Sequence, residues 1–276
     1  MALQIDSTVS LGGGVAMPRL GLGVFKSESG PETENAVRWA IEAGYRHIDT
    51  ASLYANEASV GTGIRASGVD PAGIFVTTKV WNTDQGYDST MRAFDRSLAQ
   101  LGMDRVDLYL VHWPVPAQGT AADTWRALEA IHSEGRAGAI GVSNFEPHHL
   151  DELMTTAETA PTVNQVELHP YLQQNHLQAY CREHGIVLEA WSPLAKGAVV
   201  EDPVLHRIGA RHGKSPVQVT VRWMLQLEIV TIPKSVHHDR IVANADVFDF
   251  ELTDDEMAEI ATLDRDMRTG PHPDRF

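Results

Sequence analysis

This chain of 276 residues lacks several features that mark other classes of protein. It has one cysteine, Cys181, so no disulfide can form within the chain, which fits a reducing environment. It has no run of about 18 apolar residues, which a membrane-spanning helix requires. Residues 1–11 contain no basic segment followed by an apolar stretch, so we expect no secretory signal. We therefore predict a cytoplasmic protein with no membrane partner.

Basic residues are also scarce relative to acidic ones. The chain has 22 Lys and Arg against 37 Asp and Glu, which gives a formal net charge of −15. Because such a protein repels phosphate backbones, we expect no nucleic-acid partner. Hydrophobic residues make up 43% of the chain, enough to bury a core and to exclude a mainly disordered state. No stretch resembles a linker, so we predict a single domain over residues 1–276.

A helix-like segment, a glycine and a short apolar run recur along the chain. In residues 31–43, Val37, Ala40 and Ile41 share one helical face, and Gly44 follows the end. Several of the apolar runs are almost wholly hydrophobic, which is typical of parallel strands buried on both faces. The runs predict eight strands, at residues 20–24, 45–49, 75–79, 106–112, 139–143, 163–167, 186–191 and 229–232.

Eight strands that alternate with helices predict an α/β fold whose parallel sheet closes into a (β/α)8 TIM barrel. An open, doubly wound sheet is the alternative architecture. Residues 7–11 and 15–17 flank three glycines, a pattern that predicts an N-terminal β-hairpin ahead of the first strand. Two extra helices are predicted late in the chain, at residues 216–227 and 253–261, and the second opens with a capping box.

Polar or aromatic side chains stand where these predicted strands end. The carboxyl ends of TIM-barrel strands surround the active site, so these side chains should converge there. Any one of them alone could be an ordinary surface or core residue, but their occurrence on successive strands favours a catalytic site. They are Asp49, Lys79, His112, Ser143, Asn144, Gln165, Glu167, Trp191 and Lys234.

Tyr54 lies five residues beyond Asp49, in a loop that must cross the same mouth. A tyrosine titrates near pH ~10 in water, so it needs assistance to act as an acid at neutral pH. We expect the ammonium of Lys79 to lower the pKa of Tyr54, and Asp49 to hold that ammonium in place. His112 could orient a carbonyl oxygen and share its developing charge. These residue types favour protonation of an oxygen over covalent catalysis, because no nucleophile is paired with a base.

Three motifs in this order resemble the signatures of the aldo-keto reductase family. The resemblance runs from the N-terminal hairpin nearly to the C-terminus, and it is strongest to the bacterial 2,5-diketo-D-gluconate reductases and related small prokaryotic members. The residues that carry it are 44–51 with Tyr54, Asn56 and Glu57, then 140–145, then 232–235 with Arg240 and Asn244.

The resemblance implies NADPH-dependent reduction of aldehydes or ketones to alcohols. Hydride would pass from the nicotinamide to the carbonyl carbon, and Tyr54 would donate the proton. Lys79 and Asp49 would tune Tyr54, and His112 would orient the substrate.

The resemblance also implies which residues hold the cofactor. Ser143, Asn144 and Gln165 match positions that hold the nicotinamide carboxamide, and Trp191 matches the ring that stacks on the nicotinamide. Two cations near a 2′-phosphate favour NADPH over NADH. The remaining cofactor-binding positions implied by the resemblance are Ser192, Leu194, Lys234, Ser235, Val236, Arg240 and Asn244.

Phe25, Trp81 and Trp113, together with His112, match the family's substrate pocket. Trp113 could equally be a core aromatic, because aromatic residues mostly serve packing. The loop at residues 114–123 and the tail at residues 267–276 are short, so we expect an open pocket for small α-dicarbonyls, aldehydes or keto-sugar acids. The resemblance suggests a monomer.

Two other functions remain as alternatives. A metal-dependent barrel hydrolase could use His47, Asp49, Glu167 and His169, because a strand spacing of two places side chains on the same face. A non-catalytic nucleotide-binding sensor is the second, although all four catalytic positions are present. Metal analysis and a turnover assay separate these alternatives from a reductase.

Two further patterns are expected to carry no function. Residues 61–66 fit a dinucleotide-binding fingerprint formally, but no strand precedes them, so we predict that they belong to a helix. The pairs His148-His149 and His237-His238 suggest metal ligands. Because adjacent side chains on a helix diverge, we expect neither pair to share a metal, and no metal site is predicted.

Overall fold

An N-terminal hairpin lies at one end of the molecule. The computed structural model describes residues 3–276, in which β1 (Thr8–Ser10) pairs antiparallel with β2 (Ala16–Pro18). Met17 is fully buried against a group of apolar side chains inside the barrel that includes Leu108 and Val163. The predicted hairpin is therefore confirmed, and it closes one end of the barrel.

Eight parallel strands form the barrel wall and follow one another around it in chain order. Bridges between Leu20 and Thr231 and between Gly23 and Lys234 join the first of these strands to the last. The α/β fold is thus the predicted (β/α)8 TIM barrel rather than an open sheet. The strands are β3 (Leu22–Gly23), β4 (His47–Asp49), β5 (Phe75–Val80), β6 (Val106–Val111), β7 (Ala137–Ser143), β8 (Val163–Glu167), β9 (Val187–Trp191) and β10 (Val230–Thr231).

Helices follow each strand and surround the barrel with their apolar faces inward. The two extra helices that were predicted late in the chain are present as α8 and α10. The side chain of Thr253 caps α10 by accepting a hydrogen bond from the backbone of Glu256, as predicted. The helices are α1 (Pro31–Glu42), α2 (Glu57–Ala66), α3 (Tyr87–Leu101), α4 (Ala121–Ser133), α5 (Pro147–Met154), α6 (Asn175–Glu183), α7 (Pro203–His212), α8 (Pro216–Gln226), α9 (His238–Ala245) and α10 (Asp254–Ala261).

The first and last barrel strands are shorter than predicted. β3 covers only Leu22–Gly23 and β10 only Val230–Thr231, and isolated bridges rather than a continuous ladder connect them. Glycine is needed at this seam, because a Cβ on Gly23 would lie 2.9 Å from the carbonyl oxygen of Ile232. Close backbone approach therefore closes the barrel where regular pairing ends.

Residues 61–66 belong to α2, as predicted, and their glycines serve helix packing. A Cβ on Gly61 would lie 2.0 Å from the carbonyl oxygen of Leu101, and one on Gly63 would lie 2.7 Å from that of Glu34. The glycines thus let α2 pack closely against its neighbours, and the fingerprint has no phosphate-binding turn. Within residues 3–276, no helix combines the length and apolar character needed to cross a membrane.

Candidate active site

The structure brings Asp49, Lys79, His112 and Tyr54 together at the carboxyl ends of the strands. Asp49 ends β4, Lys79 lies near the end of β5, and His112 directly follows β6. Tyr54 ends a short 3₁₀ turn after β4. Successive strands of a parallel barrel place such residues side by side, which is why their order in the sequence located them correctly.

The ammonium of Lys79 is the centre of this cluster and is fully buried. Its Nζ donates to Asp49 Oδ1 at 2.8 Å and Oδ2 at 2.9 Å, and to the carbonyl oxygen of Thr50 at 2.8 Å. The same nitrogen lies 3.5 Å from Tyr54 Oη. Burial lowers the pKa of Lys79, but Asp49 and Tyr54 outweigh that effect, and the pKa is raised. Lys79 is therefore a fixed cation beside the phenol.

The expected lowering of the Tyr54 pKa is wrong for the structure as it stands. Burial raises the pKa of Tyr54 to about 12, although the charge of Lys79 acts in the opposite direction. The negative charge of Asp49 also raises it, because this carboxylate cancels much of the field of the ammonium. Tyr54 consequently keeps its proton at neutral pH.

His112 is a buried, neutral imidazole next to the phenol. Burial and the charge of Lys79 hold the pKa of His112 well below its usual range. Its ring lies 5.8 Å from that of Tyr54 and 5.0 Å from that of Trp81, both in edge-to-face geometry. Within residues 3–276 its Nδ1 has no hydrogen-bond partner. This nitrogen is buried, so a ligand would have to contact the other ring nitrogen, Nε2.

A second layer of ionisable groups lies below Asp49, and sequence reasoning missed its main member, Glu189. The amide nitrogen of Gln165 donates to Asp49 Oδ2 at 2.7 Å and to Glu189 Oε2 at 2.8 Å. Burial, with the nearby charge of Asp49, raises the pKa of Glu189 to about 8. A sequence signal was available: Glu189 precedes Trp191 by two residues on β9, so both face the barrel interior.

The residues expected to hold a carboxamide form one hydrogen-bonded group. Ser143 Oγ donates to the carbonyl oxygen of Gln165 at 2.8 Å. The amide of Asn144 donates to Ser143 Oγ at 3.0 Å, and Asn144 accepts from Trp191 Nε1 at 2.8 Å. The Gln165 amide nitrogen donates its two hydrogens to the carboxyl groups of Asp49 and Glu189. Within residues 3–276 no donor forms a hydrogen bond with Gln165 Oε1. Gln165 Oε1 is therefore an acceptor that could receive a hydrogen bond from a ligand's amide.

The second group of expected cofactor residues lies apart from the first, after β9 and β10. Lys234 and Arg240 are exposed, and within the described residues 3–276 neither forms an ion pair. Ser235 and Asn244 are buried beside them, and Val236 is partly buried. Ser192 and Leu194 are partly buried in the loop after β9. Two unpaired cations at this end fit an anionic group such as a phosphate.

The predicted substrate residues surround the phenol, and one further residue joins them. Phe25 packs 4.9 Å from the ring of Tyr54, and Trp113 is buried directly after His112. The further residue is Phe276, which stacks on Trp113 with ring centroids 4.3 Å apart and planes inclined by 15°. The tail is short, and its Phe276 ring packs against the predicted pocket residues Trp81 and Trp113.

The structure does not assemble the alternative metal site. His169 Nε2 lies 3.3 Å from Glu167 Oε1, but His47 Nε2 faces Thr77 and Glu189. Asp49 binds Lys79, so the four proposed ligands do not converge within residues 3–276. Among residues 3–276, one group of three possible ligands comes together: His148, His149 and Asp274.

This group contradicts the expectation for adjacent histidines. His148 and His149 lie in the first turn of α5, with ring centroids 4.0 Å apart, and both Nε2 atoms face Asp274. The general divergence of neighbouring side chains fails here because both rings turn toward one carboxylate.

Comparison with known proteins identifies the family. A model of the aldo/keto reductase family matches residues 19–265. A 9,11-endoperoxide prostaglandin H2 reductase of Trypanosoma cruzi is 54% identical over 271 residues, 97% of this chain and 95% of the relative. A glyoxal reductase of Bacillus subtilis is 52% identical over 276 residues, 100% of this chain and 99% of the relative. The crystal structure of a Gox0644 mutant in complex with NADPH has a TM-score of 0.92 and 44% identity, covering 98% of both chains. The chain belongs to the aldo/keto reductase family and is an NADP-dependent oxidoreductase that reduces carbonyl groups.

Proposed function

We propose that this enzyme reduces small α-dicarbonyls and other aldehydes, with keto-sugar acids as further candidates, and that Tyr54 is its proton donor. The observation that carries the proposal is the contact of Lys79 Nζ with both Asp49 and Tyr54 at the barrel mouth. The glyoxal reductase among the relatives supports a compact dicarbonyl as substrate.

The protonated phenol of Tyr54 suits the reducing direction. When bound, NADPH supplies the hydride for the carbonyl carbon. Tyr54 Oη donates its proton to the carbonyl oxygen as negative charge develops there, because a nascent alkoxide is a much stronger base than the phenolate. The positive charge of Lys79 stabilises the phenolate that remains, and Asp49 holds Lys79 in place. The neutral ring of His112 can donate a hydrogen bond to the same oxygen and orient it.

The cofactor-binding residues fall into two sets that fit the two ends of NADPH. Ser143, Asn144 and Gln165 form the hydrogen-bonded group beside Tyr54, and Trp191 offers a ring beside them. Gln165 Oε1 is a free acceptor for a carboxamide N–H. At the other end, Lys234 and Arg240 would hold the 2′-phosphate by charge-assisted contacts.

The remaining residues of the second set complete this cofactor site. Ser235, Val236 and Asn244 belong to the same segment as the two cations, and Ser192 and Leu194 follow Trp191 in the loop after β9, so we assign all five to the cofactor as well.

The substrate would lie between Phe25, Trp81, Trp113 and His112. These aromatic side chains offer apolar surface, and His112 offers the polar group that fixes the carbonyl. A pocket of this kind favours small planar carbonyl compounds.

We also propose a single-domain, monomeric enzyme of the cytoplasm that binds no nucleic acid. One barrel occupies the described residues 3–276, which supports a single domain. The net charge of −15 opposes binding to nucleic acid, and the single cysteine is buried and fits a reducing compartment.

The test follows NADPH oxidation across a panel of glyoxal, methylglyoxal, simple aldehydes and a keto-sugar acid. We expect turnover with the dicarbonyls. NADPH binding without turnover of any carbonyl would favour the sensor function. Stoichiometric zinc without NADPH binding would favour the hydrolase.

A further inference from the structure

Residues 268–276, which we call the strap, run from the carboxyl end of β8 to the aromatic residues at the barrel mouth. The strap is anchored at its start, where Glu167 Oε2 accepts from the backbone of Gly270 at 3.0 Å and Glu146 accepts from Arg268 at 2.8 Å. At its end, Phe276 stacks on Trp113. The strap therefore links α5 and β8 to the proposed substrate pocket.

Asp274 fastens the strap to the start of α5. Its Oδ1 lies 3.0 Å from His148 Nε2 and 3.3 Å from His149 Nε2. A carboxylate is favoured at a helix N-terminus, because the unsatisfied N–H groups there carry partial positive charge. We call this contact of one carboxylate with two imidazoles the clasp.

The hydrogen positions of the clasp follow from the helix cap. His149 Nδ1 accepts the backbone N–H of Glu146 at 3.1 Å, so the hydrogen of the neutral ring is on Nε2, the nitrogen that lies 3.3 Å from Asp274 Oδ1. A metal bound at Nε2 would require the ring hydrogen to be on Nδ1 instead. Nδ1 could then no longer accept from Glu146, and the helix cap would be lost. The clasp is therefore a close polar contact between one carboxylate oxygen and two imidazole rings.

Asp274 of the clasp lies two residues before Phe276, whose ring packs against the proposed substrate pocket. Phe276 is 42% exposed and packs on Trp113, with Trp81 at 5.9 Å between ring centroids. Trp81 in turn packs on His112. Because the Phe276 ring is largely exposed, its stacking on Trp113 is a weak restraint, and the contact of Asp274 with α5 is an anchor two residues away.

We propose that Asp274 is a specificity-determining positioning residue: the clasp holds Phe276 against Trp113 and thereby favours small planar carbonyl substrates over bulky ones. This inference rests on the proposed function, since it assumes that the substrate lies against Trp113.

The experiment compares Asp274→Ala, Phe276→Ala and the double variant with wild type, using kcat and KM for methylglyoxal and for a bulky aryl ketone. We expect Asp274→Ala to lower the ratio of the two kcat/KM values about tenfold, mainly through a higher KM for methylglyoxal. Phe276→Ala should do the same. The double variant should add nothing further, because both changes remove one wall. Asp274→Asn, which keeps an acceptor oxygen, should retain part of the selectivity.

Asp255→Ala is the matched control, since this exposed aspartate in the first turn of α10 makes the same chemical change far from the mouth. Its selectivity should equal that of wild type. Hydrogen exchange of the amides in residues 270–276 gives a readout independent of turnover, and Asp274→Ala should accelerate it.

Three results would overturn the inference: wild-type selectivity in Asp274→Ala, unchanged exchange of the strap in that variant, or additive losses in the double variant. If removal of metals with a chelator accelerates amide exchange in residues 270–276 of the wild type, a metal rather than direct contact holds His148, His149 and Asp274 together. A wild-type enzyme that turns over no carbonyl would refute the proposed function, whereas the exchange measurement would still report the clasp.

Discussion

Replacing Lys79 by methionine removes the cation on which the site depends. Lys79 is fully buried and donates to both oxygens of Asp49, whose one other side-chain donor among residues 3–276 is Gln165 at 2.7 Å. The variant leaves a buried carboxylate without its counter-ion. Removing one partner of a buried ion pair costs about 3–5 kcal/mol, so we expect a loss of that size in the free energy of unfolding.

The assay is equilibrium unfolding in urea at neutral pH, with two comparison variants. Lys79→Met combined with Asp49→Asn should recover most of the lost stability, because no buried charge remains. Arg38→Met removes an exposed ion pair with Glu42 and should cost less than about 1 kcal/mol. A loss below about 1 kcal/mol in Lys79→Met, or no recovery in the double variant, would refute the reasoning.

Three further predictions concern the buried carboxyl, the cofactor and helix packing. Because folding raises the pKa of Glu189 to about 8, this carboxyl binds more protons in the folded than in the unfolded state between about pH 5 and 8, so its own contribution to stability falls as pH rises through this range. Buried His47 and His112, whose pKa values folding lowers, act in the opposite direction below about pH 6.5. The difference in free energy of unfolding between wild type and Glu189→Gln, from urea unfolding, should therefore fall as pH rises from about 5 to 8, and a constant difference would contradict the raised pKa. Lys234→Gly should weaken NADPH binding about tenfold in a fluorescence titration and leave NADH nearly unaffected; equal affinity of variant and wild type for NADPH would contradict the phosphate contact. Gly61→Ala should lower the thermal midpoint, since its Cβ would lie 2.0 Å from the carbonyl oxygen of Leu101; an unchanged midpoint would contradict this packing.

Much of the fold could be predicted because its signals are local. The period of apolar residues and the glycines after helices located all eight strands. The order of the strands then placed Asp49, Lys79 and His112 at one mouth. The short extents of β3 and β10 could not be predicted, because they depend on how closely the backbone approaches at the barrel seam.

The electrostatics of the site could not be predicted in the same way. Lys79 was expected to dominate the pKa of Tyr54, but burial and the charge of Asp49 outweigh it. That balance depends on distances among three groups and on packing around them. The joint contact of His148 and His149 with Asp274 likewise depends on residues more than 120 positions apart, as does the stacking of Phe276 on Trp113.

The Tyr54→Phe variant gives the most direct test of Tyr54 as the proton donor. The change removes the transferable proton and keeps the ring between Phe25 and His112. In a single turnover of methylglyoxal with preloaded NADPH, we predict a rate about 10²–10⁴-fold below that of wild type. The dissociation constant of NADPH should stay within about twofold, because the phenol hydroxyl is not assigned to the cofactor. A single-turnover rate equal to that of wild type would contradict the account.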